Sequence, residues 1–157
     1  MTIAYIGLGA NLGNARETVE RALLAIDALP ASRLKAQSSL FRSAPIDSTG
    51  DDYVNAVAQI DTSLTALALL TQLQQIELAF GRERPYPNAP RTLDLDVLLF
   101  GSEQHQTATL TVPHPRLTQR AFTLIPLLQL DALIAIPGYG PAHTYVDGVA
   151  GQVIQKM

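Results

Sequence analysis

The spacing of apolar positions changes several times along the chain, and each change marks an element. Residues 2–8, TIAYIGL, are a short apolar run punctuated by Gly9 and Gly13, which predicts a first strand. Asn14 with Glu17 three residues on has the form of a helix start. Val19, Leu23, Ile26 and Leu29 then recur at helical spacing, and Pro30 closes the stripe. Residues 33–43 read as extended, and after the turn-rich APIDSTGDD comes a second extended run, YVNAVAQI at 53–60. A helix is expected over 64–80, with Leu69, Leu70, Leu73, Ile76 and Phe80 inward and Gly81 as its stop. A loop at 82–92 with three prolines and three arginines leads into a last strand within RTLDLDVLLFG, residues 91–101. The order strand, helix, strand, strand, helix, strand is the βαββαβ unit of a ferredoxin-like fold. The fold class is therefore α+β with a mostly antiparallel sheet and C-terminal helical additions. One such helix is expected over 116–130, limited or kinked by Pro126, and a short one after Asp147.

The last strand breaks the apolar rule in a particular way. Strand side chains alternate faces, so Leu93, Leu95, Val97 and Leu99 should line one side. Asp94 and Asp96 then share the other with Leu98 and Phe100. Their backbone roots lie roughly 6–7 Å apart at the rise of a strand, so the carboxylates can converge at their tips. Like charges that close are unfavourable unless something positive lies between them. A divalent cation answers that need. Magnesium takes one or two carboxylates together with waters and substrate phosphates.

The positive charge near this strand fits an anionic ligand. Arg82, Arg84 and Arg91 fall within ten residues just before the aspartates, and Arg42, Arg116 and Arg120 lie in other segments of interest. Lys35 and Lys156 are the only lysines, so nearly all positive charge is guanidinium, suited to bidentate phosphate contacts. The net charge of −3 argues against a broad nucleic-acid or membrane surface. The 157 residues, 47% hydrophobic and 16% charged, suit a single globular domain spanning 1–157. No apolar run approaches the ~18 residues of a membrane helix, and the first residues lack the basic start of a signal peptide. Without cysteine there is neither a disulfide framework nor a zinc–thiolate site. A cytoplasmic monomer is expected, with no nucleic-acid or membrane partner.

Other motifs weigh differently. GLGANLG at 7–13 invites a dinucleotide-binding reading, but Leu12 stands at the third glycine position and Asp27 lies within a helical stripe. A tight turn into a helix is the simpler reading. His114 sits between Pro113 and Pro115, which hold its backbone extended, and Arg116 and Arg120 follow it. It is either structural or a phosphate or ribose contact. Tyr53 and Asn55, two apart, share a strand face. They are a core edge, or a ring to stack on and an amide to read a flat heteroaromatic ligand.

Taken together, these segments resemble the 6-hydroxymethyl-7,8-dihydropterin pyrophosphokinase family of folate biosynthesis. The resemblance rests on YIGLGANLGN at 5–14, FRSAPI at 41–46, YVNAV at 53–57, IELAFGRER at 76–84, PRTLDLDVLLFG at 90–101 and VPHPRLTQRAF at 112–122. It implies Mg-dependent transfer of the β,γ-pyrophosphoryl group of ATP to the pterin hydroxymethyl oxygen, with AMP released. By the same resemblance Asp94 and Asp96 hold two magnesium ions, Arg82 and Arg91 stabilise the transferring group, and Arg84 contacts ATP. Gln74, Glu77, Val97, Leu110, Thr111, His114 and Arg120 align with the nucleotide site. Tyr53 and Phe122 align with an aromatic pair that sandwiches the pterin, Asn55 with the amide that reads its edge, and Ser43, Ala44 and Ile46 with a loop against the same ring. Two positions depart from the family pattern. Residues 85–90 read PYPNAP, with Tyr86 and no tryptophan, and Thr109 stands where some members have an arginine.

Two other functions compete with this one. RNA-recognition domains share the βαββαβ order but need stacked aromatics and a basic face, which this chain does not offer. A Mg–ATP phosphotransferase acting on a different heteroaromatic acceptor would keep the aspartates but would not require Tyr53, Asn55 and Phe122 together.

Overall fold

The structure is a computed structural model that describes residues 1–45, 51–81 and 92–157. Its elements follow in chain order as β1 (Thr2–Ala10), α1 (Ala15–Asp27), β2 (Ser32–Gln37), β3 (Phe41–Ser43), β4 (Tyr53–Thr62), α2 (Ala66–Phe80) and β5 (Asp94–Phe100). After these come a small hairpin of β6 (His105–Gln106) and β7 (Thr111–Val112), then α3 (Ala121–Leu130). A second hairpin, β8 (Ala135–Ile136) with β9 (Gly140–Pro141), precedes the last strand, β10 (Ile154–Lys156). The main sheet runs β10–β3–β4–β1–β5, with β2 also on β4. Every pairing in it is antiparallel. The ferredoxin-like α+β expectation holds.

Alternation on the three central strands sorts the side chains into two layers. Ala4, Ile6 and Leu8 of β1, Val54, Ala56, Ala58 and Ile60 of β4, and Leu95 and Val97 of β5 point to one face. There they meet Val19, Leu23 and Ile26 of α1 and Leu69 and Leu73 of α2. The opposite face packs Tyr5, Val57 and Leu98 against Leu124 and Leu127 of α3. Both long helices start where a side chain accepts an otherwise orphan N–H. Asn14 takes that of Glu17, and Thr65 that of Ala68. Gly81 ends α2, its N–H donating to Glu77 O.

Five sequence expectations need correction. The strict alternation in β5 fails beyond Val97, because β5 carries one extra residue between the partners of Tyr5 and Ile6. This bulge puts Phe100 with Val97 on the helix-covered face, and Leu99 with Leu98 on the other. Gly9 does not punctuate the first strand, which continues through it to Ala10; Gly13, at φ +57°, makes the turn as expected. The extended run at 33–43 is two strands, β2 opposite residues 58–62 and β3 opposite 53–55. At the break the Ser38 N–H donates to Val57 O at 2.8 Å, and the Ser38 hydroxyl accepts from the Val57 N–H at 2.9 Å. The segment after Asp147 forms a short 3-10 turn, Asp147–Val149, and then a strand instead of a helix. Similarly, the helix foreseen over 116–130 is a 3-10 turn, Leu117–Gln119, followed by α3 with Pro126 inside it.

The Ser38 bond bridges a buried N–H that has no strand partner at that point. Ser38→Ala should therefore lower unfolding free energy by about 1–3 kcal/mol, the cost of stranding a buried polar group. Urea denaturation would measure it, and a loss below experimental error would show that the hydroxyl is dispensable.

Candidate active site

The sheet face that carries α3 is open at one end, and there it forms the floor of a cavity of about 670 Å³. The floor follows from register. Gly9 lies between Asn55 of β4 and Asp94 of β5, and Gly7 lies between Val57 and Asp96. With a glycine in the middle, Asn55 and Asp94 stand two strand spacings apart, roughly 9.5 Å, over bare backbone. That gap suits a flat two-ring ligand. A Cβ at Gly9 would come within 3.0 Å of Asn55 Nδ2, and one at Gly7 within 3.3 Å of the Leu98 side chain.

One end of the cavity gathers a buried hydroxyl, an amide and two aromatic rings. Ser43 and Asn55 are each only 4% exposed, and the Ser43 hydroxyl donates to Asn55 Oδ1 at 2.6 Å. This bond orients the amide and turns Nδ2 toward Gly9. Tyr53 pairs with Ser43 across the strands, and Ala44 continues the same wall. Phe122 enters from α3, and the Arg120 guanidinium lies over its ring at 5.3 Å.

The other end carries charge. Asp94 and Asp96 line the cavity with Arg116 and Arg120. Burial pushes the Arg120 guanidinium below its ordinary value; Arg116 adds to this, while Asp96 and Asp94 oppose it. His114 accepts the Arg116 backbone N–H on Nδ1 at 3.1 Å, so its other nitrogen, Nε2, carries the proton. Nε2 lies 4.0 Å from Asp96 Oδ1, beyond a hydrogen bond but within Coulombic reach. Burial lowers the His114 pKa; Asp96 raises it, and Arg120 and Arg116 lower it further. Among the described residues no three His, Cys, Asp or Glu side chains could hold a metal ion. The Asp94–Asp96 pair offers oxygen donors alone and leaves positions open, a donor set that fits magnesium shared with a ligand.

The residues singled out from sequence thus fall into three groups. Ser43, Ala44, Tyr53, Asn55, Asp94, Asp96, Arg120 and Phe122 meet around one cavity. Gln74, Glu77, Val97, Leu110, Thr111 and His114 are not part of its lining. Val97 and Leu110 are buried in the core under α1 and α2, while Gln74 and Thr111 are exposed. Glu77 accepts the Leu95 N–H at 2.9 Å and so ties α2 to the start of β5. Ile46, Arg82, Arg84 and Arg91 lie outside the described residues. Sequence reasoning missed Gly7 and Gly9 as floor, although two glycines two apart in an apolar strand signal a cleared face. It also missed Gln119 and Gln152, which line the cavity and carry no local signal.

A family model described as 7,8-dihydro-6-hydroxymethylpterin-pyrophosphokinase (HPPK) matches residues 5–132. The chain belongs to this family. A 2-amino-4-hydroxy-6-hydroxymethyldihydropteridine pyrophosphokinase of Haemophilus influenzae is 43% identical over 138 residues, covering 87% of this chain and 86% of the relative. The enzyme of the same description from Pseudomonas aeruginosa is 45% identical over 134 residues, covering 85% and 83%. Among solved structures, an HPPK-DHPS in complex with substrates superposes with a TM-score of 0.73 at 11% identity, over 93% of this chain and 43% of that one. Wild-type Plasmodium falciparum HPPK-DHPS gives 0.66 at 13% identity, over 93% and 40%. At such identities the likeness is one of fold, and this chain spans less than half the length of either. Membership in the HPPK family makes the protein a pyrophosphokinase enzyme.

The electrostatics can be checked directly. His114 should titrate below 6.5, its ordinary value. Asp96→Asn removes a carboxylate that raises it and should move it lower still, as followed by NMR of the imidazole. A rise would contradict the arrangement. Because the folded value is the lower one, the unfolded chain takes up the proton first as pH falls. The contribution of His114 to stability is therefore full above 6.5 and is lost as pH drops through the folded value.

Proposed function

We propose that the protein catalyses Mg-dependent transfer of pyrophosphate from ATP to the hydroxymethyl group of 6-hydroxymethyl-7,8-dihydropterin, giving AMP and the pterin pyrophosphate in folate biosynthesis. The observation that carries this reading is that a ring seat and a carboxylate pair share one cavity, separated by Gly9. The pterin lies between Tyr53 and Phe122, with Asn55 on its edge and Ser43, Ala44 and Ile46 against it. Such a pose carries the hydroxymethyl arm toward Asp94 and Asp96.

In the reaction the hydroxymethyl oxygen bonds to the β-phosphorus of ATP and loses its proton. The bond from that phosphorus to the α-phosphate oxygen breaks, and AMP leaves with the electron pair. Magnesium held by Asp94 and Asp96 would offset phosphate charge and acidify the hydroxyl. The remaining work is positioning and charge stabilisation by the chain itself. Arg82 and Arg91 serve the transferring group, and Arg84 contacts ATP. His114 donates from Nε2, and Arg120 faces the phosphates while stacked on Phe122. Gln74, Glu77, Val97, Leu110 and Thr111 are assigned to the nucleotide, on the α2 side of β5. Glu77 and Val97 also have structural roles there, as the Leu95 bond and the core packing indicate. Residues 1–157 are taken as one pyrophosphokinase domain, a cytoplasmic monomer with ATP and the dihydropterin as its partners. No helix among the described residues is long and apolar enough to cross a membrane.

The test is a nucleotide assay with purified protein, magnesium, ATP and hydroxymethyl-dihydropterin. AMP should form only when the pterin is present. ADP would indicate transfer of a single phosphoryl group, and AMP formed with other flat acceptors instead would favour a different heteroaromatic substrate. Asp94→Asn and Asp96→Asn should each lower kcat by about three orders of magnitude, the scale for losing a group that stabilises developing charge. Arg91→Ala should depress kcat far more than substrate binding, because its role belongs to the transition state.

A further inference from the structure

We propose that Gln152, twenty residues beyond the stretch matched by the family model, is a positioning residue for the ring-binding end of the cavity. The role rests on the pterin reading of that end. Helix α3 carries Phe122 in its first turn, yet Arg120 at its N-cap makes no side-chain cap bond. The Ala121 N–H, on a residue only 2% exposed, donates instead to Gln152 Oε1 at 2.8 Å. Gln152 Nε2 in turn donates to Gln119 O at 2.8 Å. The two bonds bracket Arg120 and fix where α3 begins, and with it the Arg120–Phe122 stack.

The residues after Gln152 hold the opposite wall. Ile154–Lys156 pair with Phe41–Ser43, and Val153 O accepts the Ala44 N–H at 3.4 Å. One short C-terminal segment therefore sets the distance between Ser43 and Ala44 on one side of the ring and Phe122 on the other. Gln152 itself lines the cavity between them. The chemistry of the position is restrictive. It needs a donor and an acceptor on one stem, which an amide supplies; a glutamate lacks the donor and a lysine the acceptor.

The test compares Gln152→Met, which keeps length and removes both bonds, with Gln152→Asn, which keeps both groups on a stem one carbon shorter. Steady-state rates with Mg–ATP and hydroxymethyl-dihydropterin are measured beside the thermal midpoint. In Gln152→Met the KM for the pterin should rise roughly tenfold or more, since ångström displacements of a positioning group have effects of that order or larger. kcat and the KM for ATP should change much less, and Gln152→Asn should fall between Met and wild type. A lowered midpoint with unchanged pterin KM would overturn the proposal and leave a purely structural role. A rise in the KM for ATP alone would also overturn it. Should Gln152→Met fail to fold, Gln152→Asn decides by the same readings. Wild type run alongside separates the two readings. If it forms no AMP, the pterin reading falls and this role with it; if it turns over normally, a failure belongs to Gln152 alone.

Discussion

The site depends on the register that locks β1 between β4 and β5. Side chains on a strand have a period of two, so a slip of one residue would turn Asp94 and Asp96 into the apolar core and drive Leu95 and Val97 into the cavity. The helix-covered face prevents this. Ile6, Leu8, Val54, Ala56, Leu95 and Val97 are all buried against α1 and α2, and a one-residue slip would turn them to the other face. The core therefore does more than stabilise the fold. By taking every second residue it delivers the alternate ones, Gly7, Gly9, Asn55, Asp94 and Asp96, to a single surface.

On that surface, small side chains matter as much as charged ones. Gly9 keeps the floor clear between an amide and a carboxylate, and the close approach of Asn55 Nδ2 leaves little space for a Cβ. The charged end is balanced by opposition. Asp94 and Asp96 line the cavity with Arg116 and Arg120, and burial and the two arginines lower the His114 pKa in spite of Asp96. Carboxylates and guanidiniums thus meet at one end of the cavity, opposite the end lined by Ser43, Tyr53 and Asn55.

Much of this was legible in the sequence, and the exceptions have physical causes. The aspartate pair stood out because charge inside an apolar strand is costly without a purpose. Tyr53 and Asn55 followed from strand periodicity. The bulge in β5 was invisible because an extra residue is defined only against its partner strand. Gly9 was taken for punctuation because a glycine-rich run looks alike whether it ends a strand or clears one. The C-terminal strand and Gln152 gave no sign, since their partners at Phe41–Ser43 and Gln119–Ala121 are far away in sequence. Arg82, Arg84 and Arg91 were named from the sequence, and they lie outside the described residues.

The most direct measurement of the central claim is a crystal structure of the protein with magnesium, hydroxymethyl-dihydropterin and α,β-methylene ATP, which cannot be cleaved at the reacting bond. The ring should lie over Gly9 between Tyr53 and Phe122, with its edge on Asn55 and its hydroxymethyl oxygen turned toward Asp94 and Asp96. A ring bound outside this cavity, or seated with the hydroxymethyl arm away from the two aspartates, would contradict the account.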